Sequence, residues 1–145
     1  MIKNEAVLKE LRDILKKAKD SDLKVAIFHT AHEFRNYMIR SKLSGQVLNR
    51  VTGALVDNIN VKEEDSEPDR FRVIINPSMP YSAIHEFGGV IKPKRKGGML
   101  RFSIGDNVFY SKSVTIPERS YLRSSRDEFD FQETALKKLR ELVIA

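Results

Sequence analysis

The sequence predicts an α+β fold, because two helical patterns come first, several short strand-like segments follow, and one more helical pattern closes the chain. The length of 145 residues fits one domain with a single core. We therefore expect one domain over 1–145. It should comprise a helical pair at 1–43, a small antiparallel or mixed sheet with loops at 45–118, and a C-terminal helix at 119–143 that packs on the sheet.

Composition excludes several classes of function. The chain contains no cysteine, which excludes disulfides, zinc ribbons and thiol nucleophiles. No apolar run approaches the ~18 residues that cross a bilayer, and the first residues lack an apolar signal core, so we expect no membrane contact and a cytosolic site of synthesis. The net charge of +6 permits contact with a polyanion, although most basic surfaces are simply solvated.

Two amphipathic helices are predicted at the N-terminus. The first is expected to begin after Asn4 as N-cap, and its apolar positions recur at helical spacing up to Ala18. The second is expected to take Ser21 or Asp22 as its cap. Its apolar stripe is formed by Leu23, Ile27, Ala31, Phe34 and Met38.

The middle of the chain predicts a short helix and a strand separated by a loop. Residues 52–59 are interpreted as a short helix or turn that leads to a strand, with the Thr52-Gly53 step as its cap. The acidic segment 62–69 is expected to be an exposed loop. Residues 70–77 alternate between apolar and polar and end at a proline, which predicts a strand with one buried face.

The second half predicts further strands and a final helix. Short strand-compatible segments occur at 89–94, 98–105 and 107–117, with a tight turn at 105–107. The glycine pairs at 88–89 and 97–98 are expected to be turn glycines with positive φ. Apolar residues from Leu122 to Val143 fall near helical spacing, which predicts one closing helix.

The His-Glu pair at 85–86 does not match a catalytic or metal motif. A helical zinc site needs two histidines four residues apart, whereas His29 and His32 are three apart and His85 stands alone. No nucleophile elbow or phosphate-binding loop is present. We therefore expect no catalytic residues, no cofactor and no metal, and we expect Glu86 to form a salt bridge or a cap.

A cluster of positive charge follows this pair. Its residues are Lys92, Lys94, Arg95, Lys96 and Arg101. On the tip of a hairpin, such a cluster could contact several phosphates without sequence choice, since the loop contains no aromatic residue for base stacking. A lysine-rich tip that only keeps a sheet edge soluble is the structural alternative.

Three blocks of the sequence carry a resemblance to a known family. These are TGALVDNI at 52–59, YSAIHEFGG at 81–89 and SVTIPERSYLRSS at 113–125. In this order they resemble the tail-completion or virion-morphogenesis proteins of tailed bacteriophages, of the phage Mu type. The matching positions are Thr52, Gly53, Leu55, Tyr81, His85, Glu86, Phe87, Gly88, Pro117, Arg119, Tyr121 and Leu122. The third block departs from the family pattern, with Glu118 in place of alanine and Ser120 in place of a second proline.

The resemblance implies a structural, non-enzymatic protein of the phage neck. Such a protein completes the tail end and joins it to the head connector, in a ring that is commonly six-fold. Its implied partners are copies of itself, the tail-tube protein and the head connector or adaptor, with non-specific contact to DNA in the lumen. The implied location is the virion, after assembly in the host cytoplasm.

The resemblance also implies roles for single residues. Phe87 and Ile84 are expected to anchor their segment to the core, and His85 and Glu86 to hold the turn. Gly88 is expected to let the chain reverse, so that the loop 92–98 projects toward a neighbouring subunit, the tube or DNA. A basic nucleic-acid-binding or regulatory protein that uses the Lys92–Arg101 cluster is the alternative function. A hydrolase centred on the His-Glu pair is a third hypothesis, supported only by the adjacency of the two residues.

Overall fold

The computed structural model describes residues 5–48, 53–64 and 70–144, and it confirms the α+β fold class. Helices come first, short antiparallel strands follow, and helices close the chain. The elements in order are α1 (Glu5–Lys17), α2 (Asp20–Lys42), α3 (Ala54–Asp57), β1 (Ile59–Glu64), β2 (Arg72–Pro77), α4 (Ser82–Phe87), β3 (Gly89–Ile91), β4 (Leu100–Ile104), β5 (Asn107–Ser111), β6 (Val114–Ile116), α5 (Tyr121–Glu128) and α6 (Phe131–Ile144).

The N-terminal helix pair is confirmed, with a correction at the start of α2. This helix begins at Asp20, so neither Ser21 nor Asp22 is its cap. Asp22 acts from inside the first turn, because its carboxylate accepts a hydrogen bond of 2.9 Å from the backbone N–H of Lys19. The predicted cap at Asn4 lies outside the described residues.

Helix α2 is the central element of the molecule. Its buried residues include Phe34 and Met38, and it packs against α5, α6, β1 and β2. One core cluster lies at its C-terminal half and comprises Met38, Leu43, Val56, Ile59 and Tyr121. A second cluster lies near its N-terminal half and comprises Ile14, Ala26 and Leu139.

The first strands form an antiparallel ribbon. Strand β1 pairs with β2 from Ile59 opposite Pro77 to Glu64 opposite Arg72. The strand predicted at 70–77 is therefore confirmed, with Val73 and Ile75 more buried than their neighbours. The predicted loop starts too early, because residues 62–64 lie in β1, where pairing with β2 overrides their acidic character. Residues 65–69 of that loop lie outside the described residues.

The remaining strands form two more antiparallel ribbons instead of one small sheet. Strand β3 pairs with β6, and β4 pairs with β5 through the two-residue turn Gly105-Asp106. The segment 107–117 is thus two strands and not one. The strands on either side of the basic loop do not pair with each other, so the loop 92–98 is not a hairpin tip.

The prediction of one continuous helix over 119–143 is wrong. Phe129 is extended between α5 and α6, and its ring lies 5.4 Å from that of Phe34 and 4.8 Å from that of Phe131. Asp130 then accepts a hydrogen bond of 2.9 Å from the backbone N–H of Glu133 at the start of α6. The closing helix packs mainly on α2, and it faces β2 across an apolar groove.

Candidate functional site

The second and third sequence blocks meet at one buried carboxylate. Glu86 lies on α4 and is 3% exposed. Its two oxygens accept hydrogen bonds from the backbone N–H of Leu122 at 2.8 Å, and from the backbone N–H and Nε of Arg123 at 3.0 Å each. A carboxylate placed at a helix N-terminus satisfies N–H groups that have no partner inside the helix. Glu86 is therefore both the cap of α5 and a salt-bridge partner, as the sequence predicted.

Main-chain hydrogen bonds join the same two segments. The backbone N–H of Arg119 donates to the carbonyl of His85 at 3.0 Å, and that of Ser120 donates to the carbonyl of Glu86 at 3.1 Å. The guanidinium of Arg123 also reaches the Glu86 carbonyl, at 3.2 Å. The last carbonyls of α4 are thus satisfied by the chain that enters α5. We call residues 85–88 and 118–123 the clamp.

Gly88 lets the two segments of the clamp approach each other. Its φ of 69° and ψ of −179° lie in a region that only glycine adopts readily. A Cβ at this position would stand 2.7 Å from the backbone nitrogen of Glu118. The positive φ expected at this glycine is therefore confirmed.

The third block docks into the core. Arg119 donates a hydrogen bond of 3.0 Å from Nη1 to the carbonyl of Val47. Tyr121 is 1% exposed, and burial, together with the Glu86 charge, raises its pKa to about 12. Leu122 packs against the same core cluster. Pro117, which belongs to the same block, is exposed.

The short helix predicted in the first block is present as α3 and leads to strand β1. Gly53 is the N-cap of α3 and has a φ of 81°. Leu55 packs against the core cluster of Met38 and Tyr121. Thr52 lies outside the described residues.

One anchoring prediction is wrong. Phe87 is 61% exposed and does not reach the core, whereas Ile84 is half-buried. Successive residues of a helix differ in direction by about 100°, so the inward position of Glu86 turns the next side chain outward. The guanidinium of Arg123 lies 4.7 Å from the ring centroid of Phe87 and covers part of it.

The environment of the His-Glu pair offers little for catalysis. Both carboxylate oxygens of Glu86 are engaged by donors of α5. Burial, followed by the positive charge of Arg119, lowers the pKa of His85. In the parts of the chain that the structure describes, no group of three or more His, Asp or Glu side chains could hold a metal ion. Tyr81 lies beside His85, with 5.8 Å between the ring centroids.

A projecting ribbon, which we call the arm, begins directly after the clamp and returns to it. The arm is residues 89–116. Its base is the β3–β6 pair and its tip is the β4–β5 hairpin, whose two strands pack mainly on one another. An isolated two-stranded ribbon is marginally stable in water. Contact with a partner would therefore stabilise the arm.

The surface of the arm is unusually apolar for an exposed element. Ile104 is 62% exposed and Tyr110 is 60% exposed. Other exposed apolar residues of the arm are Val90, Ile91, Met99, Val108 and Phe109. Contiguous exposed apolar surface marks interaction sites in soluble proteins. The sequence reasoning missed this surface, although β5 carries apolar residues on both of its alternating faces, which was the available signal.

The arm also carries most of the excess positive charge. It contains six Lys and Arg residues and one Asp, whereas the rest of the chain contains 20 Lys and Arg and 19 Asp and Glu. The five predicted contact residues Lys92, Lys94, Arg95, Lys96 and Arg101 are all exposed. None of them forms an ion pair with another described residue. Arg101 lies opposite Tyr110 in the tip, so an aromatic ring adjoins the charge after all.

Comparison with known proteins adds no family assignment. No protein-family model, no curated protein and no solved structure matches the chain. Within the described ranges, no helix is long and apolar enough to cross a membrane. A functional interpretation therefore depends on the sequence blocks and on the geometry of the clamp and the arm.

Proposed function

We propose that the protein is a structural, non-enzymatic virion component of a tailed phage or prophage. In this role it completes the tail end and joins it to the head connector, as one subunit of a ring at the neck. The observation that carries the proposal is that the second and third blocks of the resemblance converge on the buried carboxylate of Glu86 at the root of an exposed arm. The matching residues stabilise the fold and support an exposed ribbon, and both properties suit an assembly protein.

The clamp gives such a subunit a rigid base. A buried carboxylate with several charge-assisted hydrogen bonds has one favourable geometry, because any displacement leaves its charge unpaired. The arm begins at Gly89, next to Gly88 of the clamp, and ends at Ile116, just before it. The direction of the arm is therefore set by the hydrogen bonds of the clamp.

The arm gives the subunit a surface for partners. Its ribbon has unpaired edges, exposed apolar side chains and a net positive charge. Protein interfaces combine an apolar centre with a polar or charged rim. Under the proposal its partners are other copies of the chain, the tail-tube protein and the head connector or adaptor, with lumenal DNA near the basic loop.

Deletion of the gene in the phage or prophage tests this function. Electron microscopy of induced lysates should show separate heads and tails, and a plasmid copy of the gene should restore joined particles. Restoration should fail with a copy in which the arm residues Ile104 and Phe109 are replaced by aspartate. Normally joined particles from the deletion strain would show that the proposal is wrong.

The unpaired basic cluster favours one second candidate, a nucleic-acid-binding or regulatory protein. Each phosphate contact adds to the salt dependence of binding. Under this candidate, a gel shift should weaken as salt rises and should disappear when Lys94, Arg95 and Lys96 are all replaced by glutamate. Replacement of Lys9, Lys16 and Lys17, which are exposed on or near α1, changes the net charge equally and is the control. Absence of a shift at low salt removes this candidate.

A further inference from the structure

The tip of the arm has two chemically different faces. The strand register places Phe102 opposite Phe109, with the rings stacked at 5.9 Å, and side chains two residues apart share a face. One face therefore carries Leu100, Phe102, Ile104 and Phe109, with Ser111 opposite Leu100 and Asn107 opposite Ile104 at its two ends. We call it the aromatic face. The other face carries Arg101, Ser103, Val108 and Tyr110, so only the aromatic face lacks a charged group.

An apolar groove lies elsewhere on the molecule, in the body formed by the residues outside the arm. It lies between α2, β2 and α6 and has a volume of about 270 Å³. Its lining includes Ile27, Ala31, Val73, Ile75, Phe131 and Ala135. A cavity of about 150 Å³ lined by such side chains already holds benzene, so the groove has room for an aromatic ring. Ile27 is 40% exposed at its edge.

We propose that the aromatic face of one copy of this chain binds in the groove of a second copy. This inference rests on the proposed function, because it names the two surfaces that join subunits in the ring. The occupant of the groove is a copy of this chain because the chain itself presents an exposed ring, Phe109, of the size that the groove accepts. An aromatic side chain seated in an apolar pocket is typical of the residues that dominate binding energy.

Charge favours contact between an arm and a body over contact between two arms. Two arms that met would bring six cations each against one another, with only one acid per arm. The body is nearly neutral. Glu63 pairs with the groove-lining residue Val73 in the ladder and is exposed, and it lines a second pocket together with Lys24. Its carboxylate gives the cations of an incoming arm a partner of opposite charge.

The geometry of this contact has a consequence for assembly. The two surfaces differ, so the contact is head to tail: each copy offers its arm to one neighbour and its groove to the other. Head-to-tail contacts build closed rings or open filaments, whereas a two-fold contact stops at a dimer. The same contact covers the exposed apolar residues of the aromatic face and the open side of the groove.

Engineered cysteines test the contact directly, since the chain has none of its own. The double variant with Ile104→Cys and Ile27→Cys should form a ladder of disulfide-linked oligomers on oxidation at high protein concentration. The control pairs Val108→Cys, on the other face of the tip, with Val25→Cys. Val25 matches Ile27 in exposure, at 39% against 40%, and Val108 is 44% exposed, against 62% for Ile104. The control should form much less of the ladder. A ladder no stronger than that of the control overturns the inference, as does equal dimer formation by Ile104→Cys alone.

A mixing experiment separates head-to-tail contact from every two-fold alternative. Sedimentation velocity should show that Phe109→Asp and Ile27→Glu each shift self-association at least tenfold to higher concentration. Val108→Asp and Val25→Glu should not. A mixture of the two defective variants should recover dimers only, because one intact arm meets one intact groove. Failure of the mixture to associate, or association of each variant alone, overturns the inference.

The two proposals can fail separately. If deletion of the gene leaves heads and tails unjoined while the aromatic-face and groove variants associate normally, the contact is wrong and the neck function stands. Another virion protein then covers the aromatic face. If the mixing result is as expected but particles join without the gene, the contact stands and the neck function is wrong.

Discussion

Glu86 accepts two hydrogen bonds from Arg123, one from the backbone N–H and one from the side-chain Nε, each 3.0 Å long. The same carboxylate caps Leu122, so one side chain orders both the first turn of α5 and the residue that covers Phe87. A buried carboxylate is tolerated only when its oxygens are fully engaged, and here donors from 36 and 37 residues away engage them. The link between two distant segments therefore depends on a single charged group.

The substitution Glu86→Gln should lower the free energy of unfolding by about 2 kcal/mol. The amide keeps one acceptor oxygen but places an NH₂ group against an N–H donor of α5, which leaves a buried polar group without a partner. Urea denaturation followed by circular dichroism measures the loss.

Glu118 provides the matched control for this substitution. Its carboxylate also pairs with Arg123, at 2.6 Å, but its side chain is 55% exposed. Exposed ion pairs contribute little to stability, so Glu118→Gln should leave the urea midpoint nearly unchanged. Equal losses in the two variants would mean that the burial of Glu86 contributes nothing.

A second prediction concerns Gly88. Gly88→Ala should cost at least ~3 kcal/mol, because the backbone conformation excludes a Cβ and the added atom would collide with the chain at Glu118. Gly105→Ala is the control, since its φ of 59° is also positive but nothing lies within 4 Å of an added Cβ. We expect Gly105→Ala to lower the free energy of unfolding by ~1 kcal/mol through backbone strain alone. Thermal and urea unfolding of both variants check the difference, and equal costs would contradict the close approach.

A third prediction concerns Ser120, where the family that the third block resembles tends to have a proline. Ser120 has a φ of 46°, and its N–H donates to the carbonyl of Glu86. Proline fixes φ near −65° and has no N–H, so Ser120→Pro should cost ~3 kcal/mol or more. Ser120→Gly should instead stabilise the protein by about 0.5 kcal/mol, because glycine adopts positive φ without strain. A tolerated proline, measured by the unfolding midpoint, would mean that this corner takes another conformation.

The sequence predicted the elements whose signals are local. Helices α1 and α2 follow from apolar periodicity, and the strand at 70–77 from alternation. The arm was not predicted, because β3 pairs with β6 across the whole tip hairpin and no local pattern specifies that pairing. The break in the last helix was missed because Phe129 keeps the helical spacing of its neighbours while its ring packs on Phe34.

The candidate site was likewise predicted only where the signal is local. The role of Glu86 follows from its chemistry, since a carboxylate in an apolar segment needs donors wherever the chain supplies them. The donor Arg123 was not predicted, because it comes from a different segment of the chain. Phe87 was misplaced because sequence does not say which face of a short helix is buried, and a charged residue occupies the inner face.

A fourth prediction tests the break between the last two helices. Asp130→Ala should cost about 1 kcal/mol, because the carboxylate accepts the backbone N–H of Glu133 and caps α6. Asp127→Ala is the control, as this exposed residue pairs only with its neighbour Arg126 among the described ion pairs. Asp127→Ala should leave the free energy of unfolding nearly unchanged. Amide hydrogen exchange should localise the effect of Asp130→Ala to the first turn of α6, and protection there that stays unchanged would argue against the cap.

The fifth prediction is a pH dependence that originates at His85. Burial, together with the charge of Arg119, lowers the pKa of this imidazole in the folded state below its ordinary 6.5, so the unfolded chain takes up the proton more readily. The contribution of neutral His85 to stability is therefore complete above pH 6.5 and is lost as pH falls below it toward the lower pKa of the folded state.

His85→Gln should accordingly flatten the fall in unfolding free energy between about pH 7 and 5, where an ordinary histidine becomes charged. The substitution His29→Gln, which removes an exposed imidazole on α2, is the matched control. Urea denaturation at a series of pH values gives both slopes under the same conditions. A wild-type slope that persists in His85→Gln would show that the proton uptake accompanying unfolding occurs at another group. The pKa of His85 would then have to be the same in the folded protein as in the unfolded chain.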